Sequence, residues 1–139
     1  MAIVVESVRL TELQLKVHPE HAQNLNFNIS FTCNSNFPEP SRLVQTTEFD
    51  LARDLPDAPF VFKFTYESSF RSDGVGSPTL EQFAEANAPA YVIPYARELI
   101  ANVTARLGVI PTLVLPPINV FRLIEEAKRK AEEPKSEDQ

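Results

Sequence analysis

One cysteine, two histidines and three glycines in 139 residues leave several kinds of chemistry without raw material. The lone Cys33 allows no intrachain disulfide and excludes a four-cysteine zinc site, which fits a reducing cytoplasm. No Gly-rich phosphate loop, serine elbow or spaced metal motif can be read anywhere in the chain, so an enzyme has no constellation to rest on and no cofactor is expected. Long hydrophobic runs are missing too. Met1-Ala2-Ile3-Val4-Val5 meets Glu6 at once with no basic region before it, so neither a signal peptide nor a membrane span is expected. Positive charge is in deficit: 13 Lys and Arg against 19 Asp and Glu give a net charge of −6. That argues against nucleic acid, whose phosphates reward clustered bases, and suits a basic partner if the acids are patterned.

The 43% hydrophobic content is ordinary for one globular domain, placed here at residues 1–131. A chain of this size forms a core, but a large buried surface calls for subunit contacts. From Glu132 the tail is charged and has nothing to bury, so residues 132–139 are expected to be disordered.

Four stretches alternate with a period of two. Leu25, Phe27, Ile29, Phe31 and Cys33 share one side of a strand, with Asn24, Asn26, Asn28, Ser30 and Thr32 on the other. Phe60, Phe62, Phe64, Tyr66 and Phe70 form the dry side of a second, more often core than ligand site. Between them, Leu43, Thr47, Phe49 and Leu51 mark a less regular strand ending near Asp54-Leu55-Pro56. Before them, Val8 and Leu10 keep one parity while Leu13, Leu15 and Val17 keep the other, and the change at Thr11-Glu12 predicts a bulge. Short polar connections make an antiparallel meander the simplest topology.

After the turn Asp73-Gly74-Val75-Gly76 the periodicity becomes helical. Ser77-Pro78, or Thr79 with Gln82, predicts the start of a short helix to about Ala86, which Pro89 prevents from continuing. A second helix is predicted to open at Pro94, to carry Leu99, Ile100, Val103 and Leu107 as one apolar stripe, and to stop at Gly108. Asn119 can cap a final helix whose Phe121, Leu123, Ile124 and Ala127 face inward. The class is α+β: a four-stranded antiparallel sheet followed by a short helix and two helices packed on one face.

Three groups invite a chemical reading. His18-Pro19-Glu20-His21 looks like a metal cluster, but Pro19 forbids the helix that would align the imidazoles, and a polar turn is the preferred reading. Cys33 continues the apolar phase of its strand and reads as a buried, inert thiol. Arg97 and Glu98, early in the predicted helix, read as capping and subunit ion pairs rather than an acid–base pair.

The stretch Val109-Ile110-Pro111-Thr112-Leu113-Val114-Leu115-Pro116-Pro117-Ile118 is too apolar for an ordinary surface connection. Its three prolines lower the cost of ordering it, so it either presents a standing apolar surface or lids the core. Together with Ile93-Pro94-Tyr95-Ala96-Arg97-Glu98 before it and Asn119 after it, this segment resembles the SecB family of protein-export chaperones. The motif order matches from Tyr91 to Ile124; upstream, the strands match in number and apolar phase.

The resemblance implies a cytoplasmic, ATP-independent holdase that binds unfolded polypeptides or preproteins. It implies a homotetramer, a dimer of dimers, with client grooves lined here by Phe27, Ile29, Phe31, Ile110, Leu113, Leu115, Ile118, Phe121 and Ile124. It also implies delivery to the SecA translocation ATPase through acids on the exposed sheet face. Glu12 keeps one such position, whereas Lys16 and Lys63 stand where acids are expected, which makes docking to SecA doubtful. Two alternatives stay open: a SecB-like chaperone dedicated to one partner such as an antitoxin, and a non-chaperone oligomeric adaptor whose loop is buried between subunits.

Overall fold

The computed structural model describes residues 3–21, 29–51, 57–73 and 79–107. Within them run β1 (Ile3–Val17), a 3-10 turn (Pro19–His21), β2 (Ile29–Glu39), β3 (Arg42–Leu51), β4 (Phe60–Ser72), α1 (Leu80–Glu85) and α2 (Asn87–Thr104). The apolar loop, Gly108, Asn119, the final helix and the charged tail lie outside the described residues, as do Phe27 and the turn at Gly74–Gly76.

The strands form one antiparallel sheet in the order β1-β4-β3-β2. The simple meander expected from the sequence holds only for β2, β3 and β4. β1 crosses to lie beside β4, as in a Greek key. Connection length accounts for the difference: Pro40 and Ser41 alone separate β2 from β3, enough for a hairpin, whereas the chain from His18 to Asn28 is long enough to cross the end of the sheet.

Alternation then decides the faces. Leu43, Gln45, Thr47, Phe49 and Leu51 of β3 and Phe60, Phe62, Phe64, Tyr66 and Phe70 of β4 are buried under the helices. Phe49 and Phe64 stack with ring centres 4.9 Å apart, and Phe31 of β2 meets Phe49 edge-on at 5.4 Å. Each fully buried aromatic contributes about 1.5–3 kcal/mol through removal of apolar surface from water. Val92, Ile93, Ala96 and Ile100 of α2 complete this cluster, with the predicted stripe residues Leu99, Val103 and Leu107 packed against its margin.

Thr79 caps α1 as predicted: its Oγ1 accepts from the Gln82 N–H at 3.2 Å, and the Gln82 side chain accepts from the Thr79 N–H at 2.9 Å. α1 ends at Glu85, and the chain bends at Ala86 straight into α2. The second helix therefore opens at Asn87, seven residues before the predicted start at Pro94. Pro89 occupies the first turn, where a missing N–H is harmless, and Pro94 stands inside the helix. An internal proline is tolerated because Val92, Ile93 and Ala96 on both sides of it are buried on the sheet. α2 closes at Thr104, four residues before Gly108, with tight turns such as Leu107 N–H to the Thr104 carbonyl at 3.2 Å.

Candidate functional site

Two of the predicted groove residues, Ile29 and Phe31, fall within the described residues. Each stands opposite a core residue of β3, Leu51 and Phe49 respectively, so both lie on the helix side of the sheet at its β2 edge. They are half-buried and pack against the main cluster, leaving part of each side chain accessible. Phe27 and the loop and helix residues Ile110, Leu113, Leu115, Ile118, Phe121 and Ile124 lie outside the described residues.

The opposite edge adds apolar surface that the groove assignment missed. β1 pairs with β4 through Val17↔Phe60, Leu15↔Phe62, Leu13↔Phe64, Leu10↔Tyr66 and Val5↔Phe70, with register shifts between Leu10 and Glu12 and between Val5 and Ser7. Paired residues share a face, so each inserted residue resets the alternation. Ile3, Val5, Val8, Leu10, Leu13, Leu15 and Val17 consequently all face the helix side, although their sequence parity changes twice. The first of these bulges, in chain order, was not read; its signal was the parity change from Val5 to Val8. Among the described residues, α1 and α2 do not cover this edge: Leu10 is 42% exposed, Leu13 43% and Leu15 37%. Tyr91 and Tyr95, one turn apart on α2, are also exposed, with Tyr91 against Phe70 and Phe83 and Tyr95 against Tyr66.

The outer face is polar. Glu6, the residue inserted in the first bulge, accepts from Ser69 Oγ at 2.8 Å, Arg71 Nε at 2.9 Å and Arg42 Nε at 3.3 Å. The hydrogen bond from Arg71 holds its carboxyl below the ordinary value, with Ser69 adding to the effect. Arg9 pairs with Glu67 nearby. Toward the other end, Glu12 and Glu48 flank Thr65, and Lys63 stands between Gln14 of β1 and Asp50 of β3. Glu12, Gln14, Glu48, Lys63, Phe64 and Thr65 line a small hollow of about 30 Å³ there. Glu12 and Lys63 thus meet on one surface, and Lys16, opposite Val61, shares that side of β1.

The chemically suggestive groups resolve simply. His18 Nδ1 lies 3.5 Å from Glu20 Oε2 in the 3-10 turn, and among the described residues no three His, Cys, Asp or Glu side chains converge to hold a metal. Cys33 is partly rather than fully buried; its thiol lies 3.7 Å from Thr47 Oγ1, and burial raises its pKa. Arg97 and Glu98 lie in the middle of α2, not near its start, so the expected interaction with a helix N-terminus does not apply. Among the described residues Arg97 Nε is buried without a hydrogen-bond partner, and Glu98 helps burial raise the pKa of Tyr66. Among the described residues no helix is long and apolar enough to cross a membrane.

Among the described residues the arrangement offers an apolar sheet face wider than α1 and α2 upon it, and a charged face behind. A family profile described as "Preprotein translocase subunit SecB" matches residues 6–131. The uncharacterized protein MJ0357 of Methanocaldococcus jannaschii is 31% identical over 130 residues, which span 88% of this chain and 83% of that protein. The protein-export protein SecB of Actinobacillus succinogenes is 34% identical over 80 residues, 58% of this chain and 48% of that protein, so the match spans about half its length. Among solved structures, the Rv1957 SecB-like chaperone of Mycobacterium tuberculosis, in complex with a ChAD peptide from the Rv1956 HigA1 antitoxin, is similar with a TM-score of 0.67. That likeness, at 23% identity over 84% of this chain and 91% of the other, is one of fold.

Proposed function

Since this chain belongs to the SecB family, we propose that it is a cytoplasmic, ATP-independent holdase that captures unfolded polypeptides on apolar sheet surface and keeps them competent for export. The observation that carries this reading is the margin of the helix-side face at β2, where Ile29 and Phe31 pack against the core and remain partly accessible. An extended client segment burying ~300 Å² of apolar surface gains about 7 kcal/mol gross at ~25 cal/mol per Å². Ordering its backbone at ~1 kcal/mol or more per residue removes most of that gain. One segment binds weakly, and several sites in a homotetramer acting on one client supply the avidity. The oligomer is a dimer of dimers in this reading, with exposed β1 and the tyrosines of α2 as the surfaces available to it.

Handover to SecA is the part of the family's activity that this chain supports least. Lys16 and Lys63 share the outer face with Glu12, so a basic docking segment meets repulsion beside attraction, and such charges govern encounter and partner choice. This favours a second reading, a SecB-like chaperone dedicated to one partner such as an antitoxin; the similar mycobacterial chaperone was solved with an antitoxin peptide. Co-purification separates the two: a dedicated chaperone retains one small partner, a general one a mixed population or SecA.

The deciding experiment is size-exclusion chromatography with light scattering, with and without a reduced, unfolded client. A tetramer that takes up client is expected. A stable monomer that ignores the client overturns the proposal, and a tetramer that binds neither client nor an apolar dye leaves the adaptor reading.

A further inference from the structure

The core of the sheet is divided in two. Along β3 the inward residues run Leu43, Gln45, Thr47 and Phe49, and along β4 Phe70, Ser68, Tyr66 and Phe64 stand opposite them. Leu43 and Phe70 belong to a small apolar cluster closed by Leu80, Phe83 and Ala84 of α1 and by Ala88. Phe49, Phe64 and Tyr66 belong to the larger cluster under the rest of α2. The buried polar residues Gln45, Thr47 and Ser68 separate the two. Gln45 Nε2 donates to the Ala84 carbonyl oxygen at 2.8 Å, which fastens α1 across this divide. Among the described residues Gln45 Oε1 is buried with no hydrogen-bond partner. A buried acceptor left unpaired costs stability that contact with water restores.

The joint between α1 and α2 is a single residue. Ala86, at φ −135° and ψ −42°, ends α1 and begins α2, and no side chain caps α2 there. One residue at the end of an element is enough to absorb the change of direction in a hinge. We infer that α1 is a hinged cover, which lifts about Ala86 while the sheet and α2 stay folded, and so uncovers Leu43 and Phe70. The inference goes beyond the polypeptide-binding reading and does not depend on it. Leu80, Phe83 and Ala84 pack in the small cluster, so lifting α1 leaves the larger one closed. Opening also admits water to the polar seam: Gln45 Oε1 gains a partner, and Nε2 exchanges the Ala84 carbonyl for water. Tyr91 lies 5.7 Å from Phe70 and 5.9 Å from Phe83 between ring centres, so Phe70 keeps one aromatic neighbour on α2 when Phe83 leaves. Leu43 and Phe70 are 0% exposed beneath the closed cover, so the apolar surface they form exists only in the open state.

Amide hydrogen exchange on the full chain, followed through low concentrations of guanidinium chloride, tests the hinge, because the denaturant slope reports the surface exposed in each opening. Phe83, whose N–H bonds the Thr79 carbonyl at 2.9 Å, and Ala84 report on α1; Ala96 and Ile100 report on α2. The α1 amides are expected to exchange at least about tenfold faster than the α2 amides, with a slope above zero but smaller than theirs. Ile100→Val supplies a second measurement. It weakens only the larger cluster, which is formed in both states of the hinge. The substitution is expected to speed exchange in α2 by about threefold or more and to leave α1 within about 1.5-fold of the wild type.

A slope of zero for the α1 amides reduces their exchange to fraying of a short helix and overturns the inference. A single rate and slope shared by α1 and α2 overturns it too, as does equal acceleration of both by Ile100→Val, since either result makes α1 part of one cooperative core.

Discussion

Gln45 Nε2 lies 2.8 Å from the Ala84 carbonyl oxygen, tying the centre of the sheet to the last turn of α1. The same nitrogen donates to Ser35 Oγ on β2 at 3.0 Å, and Ser68 Oγ donates to the Gln45 carbonyl at 3.4 Å. With Thr47 and Cys33 these groups form a polar seam between the two apolar clusters, beneath the bend at Ala86. Replacing Gln45 with Leu removes both donors and is expected to cost about 1–3 kcal/mol in denaturant unfolding. Gln45→Glu is expected to cost more near neutral pH. Burial raises the folded-state pKa of such a carboxyl above its unfolded value, so its penalty is absent at pH below the unfolded pKa and grows as pH rises toward the folded one.

The core makes a second, larger prediction. Phe49 and Phe64 are almost completely buried and stack on one another. Either residue changed to Ala is expected to lose about 3–5 kcal/mol by equilibrium unfolding, through lost burial and the cavity left behind. In contrast, Leu13→Ser with Leu15→Ser removes side chains already about two-fifths exposed. That pair is expected to leave the unfolding midpoint nearly unchanged and to alter oligomer mass by light scattering.

Glu6 supplies a dependence on pH. Its carboxyl titrates below the ordinary value of 4.5 because Arg71, then Ser69, hydrogen-bond to the charged form. A depressed folded-state pKa stabilises the fold above the unfolded value, and that contribution is lost as pH falls through the folded pKa. Glu6→Gln is expected to flatten stability against pH on the acid side of 4.5. The wild-type carboxyl is expected to titrate below 4.5 by NMR, with a smaller depression at high salt because the pair is solvent-exposed.

Much of this fold was legible because one-sided burial writes itself into alternation. The Phe60-to-Phe70 stripe, the capping box at Thr79 and the bulge near Thr11 were each read from residue type and spacing. What escaped depends on long-range choices. The place of β1 beside β4 is set by pairing two strands distant in sequence, and only the two-residue connection at Pro40 and Ser41 distinguished a true hairpin from a crossing. The start of α2 was misread because two prolines compete for the first turn, and burial of Val92, Ile93 and Ala96 lets the helix run through the second. Gln45 was missed because a polar residue at an inward position gives no sign of what it will bond. Of the predicted groove residues, Ile29 and Phe31 fall among the described ones; the alternation could not tell that β1 presents an equally apolar edge until both bulges were counted.

The apolar loop carries the last prediction. Leu113 and Leu115 stand in a segment of ten residues that includes three prolines and no charge. If the loop is part of the client surface, Leu113→Ser with Leu115→Ser removes apolar area from each site without touching the sheet, and loss at each site multiplies across an oligomer that binds by avidity. The double variant is expected to keep the wild-type mass by light scattering and to lose suppression of client aggregation. Unaltered suppression removes the loop from the binding surface. A collapse of mass together with activity assigns it instead to packing between subunits, the arrangement the adaptor reading requires.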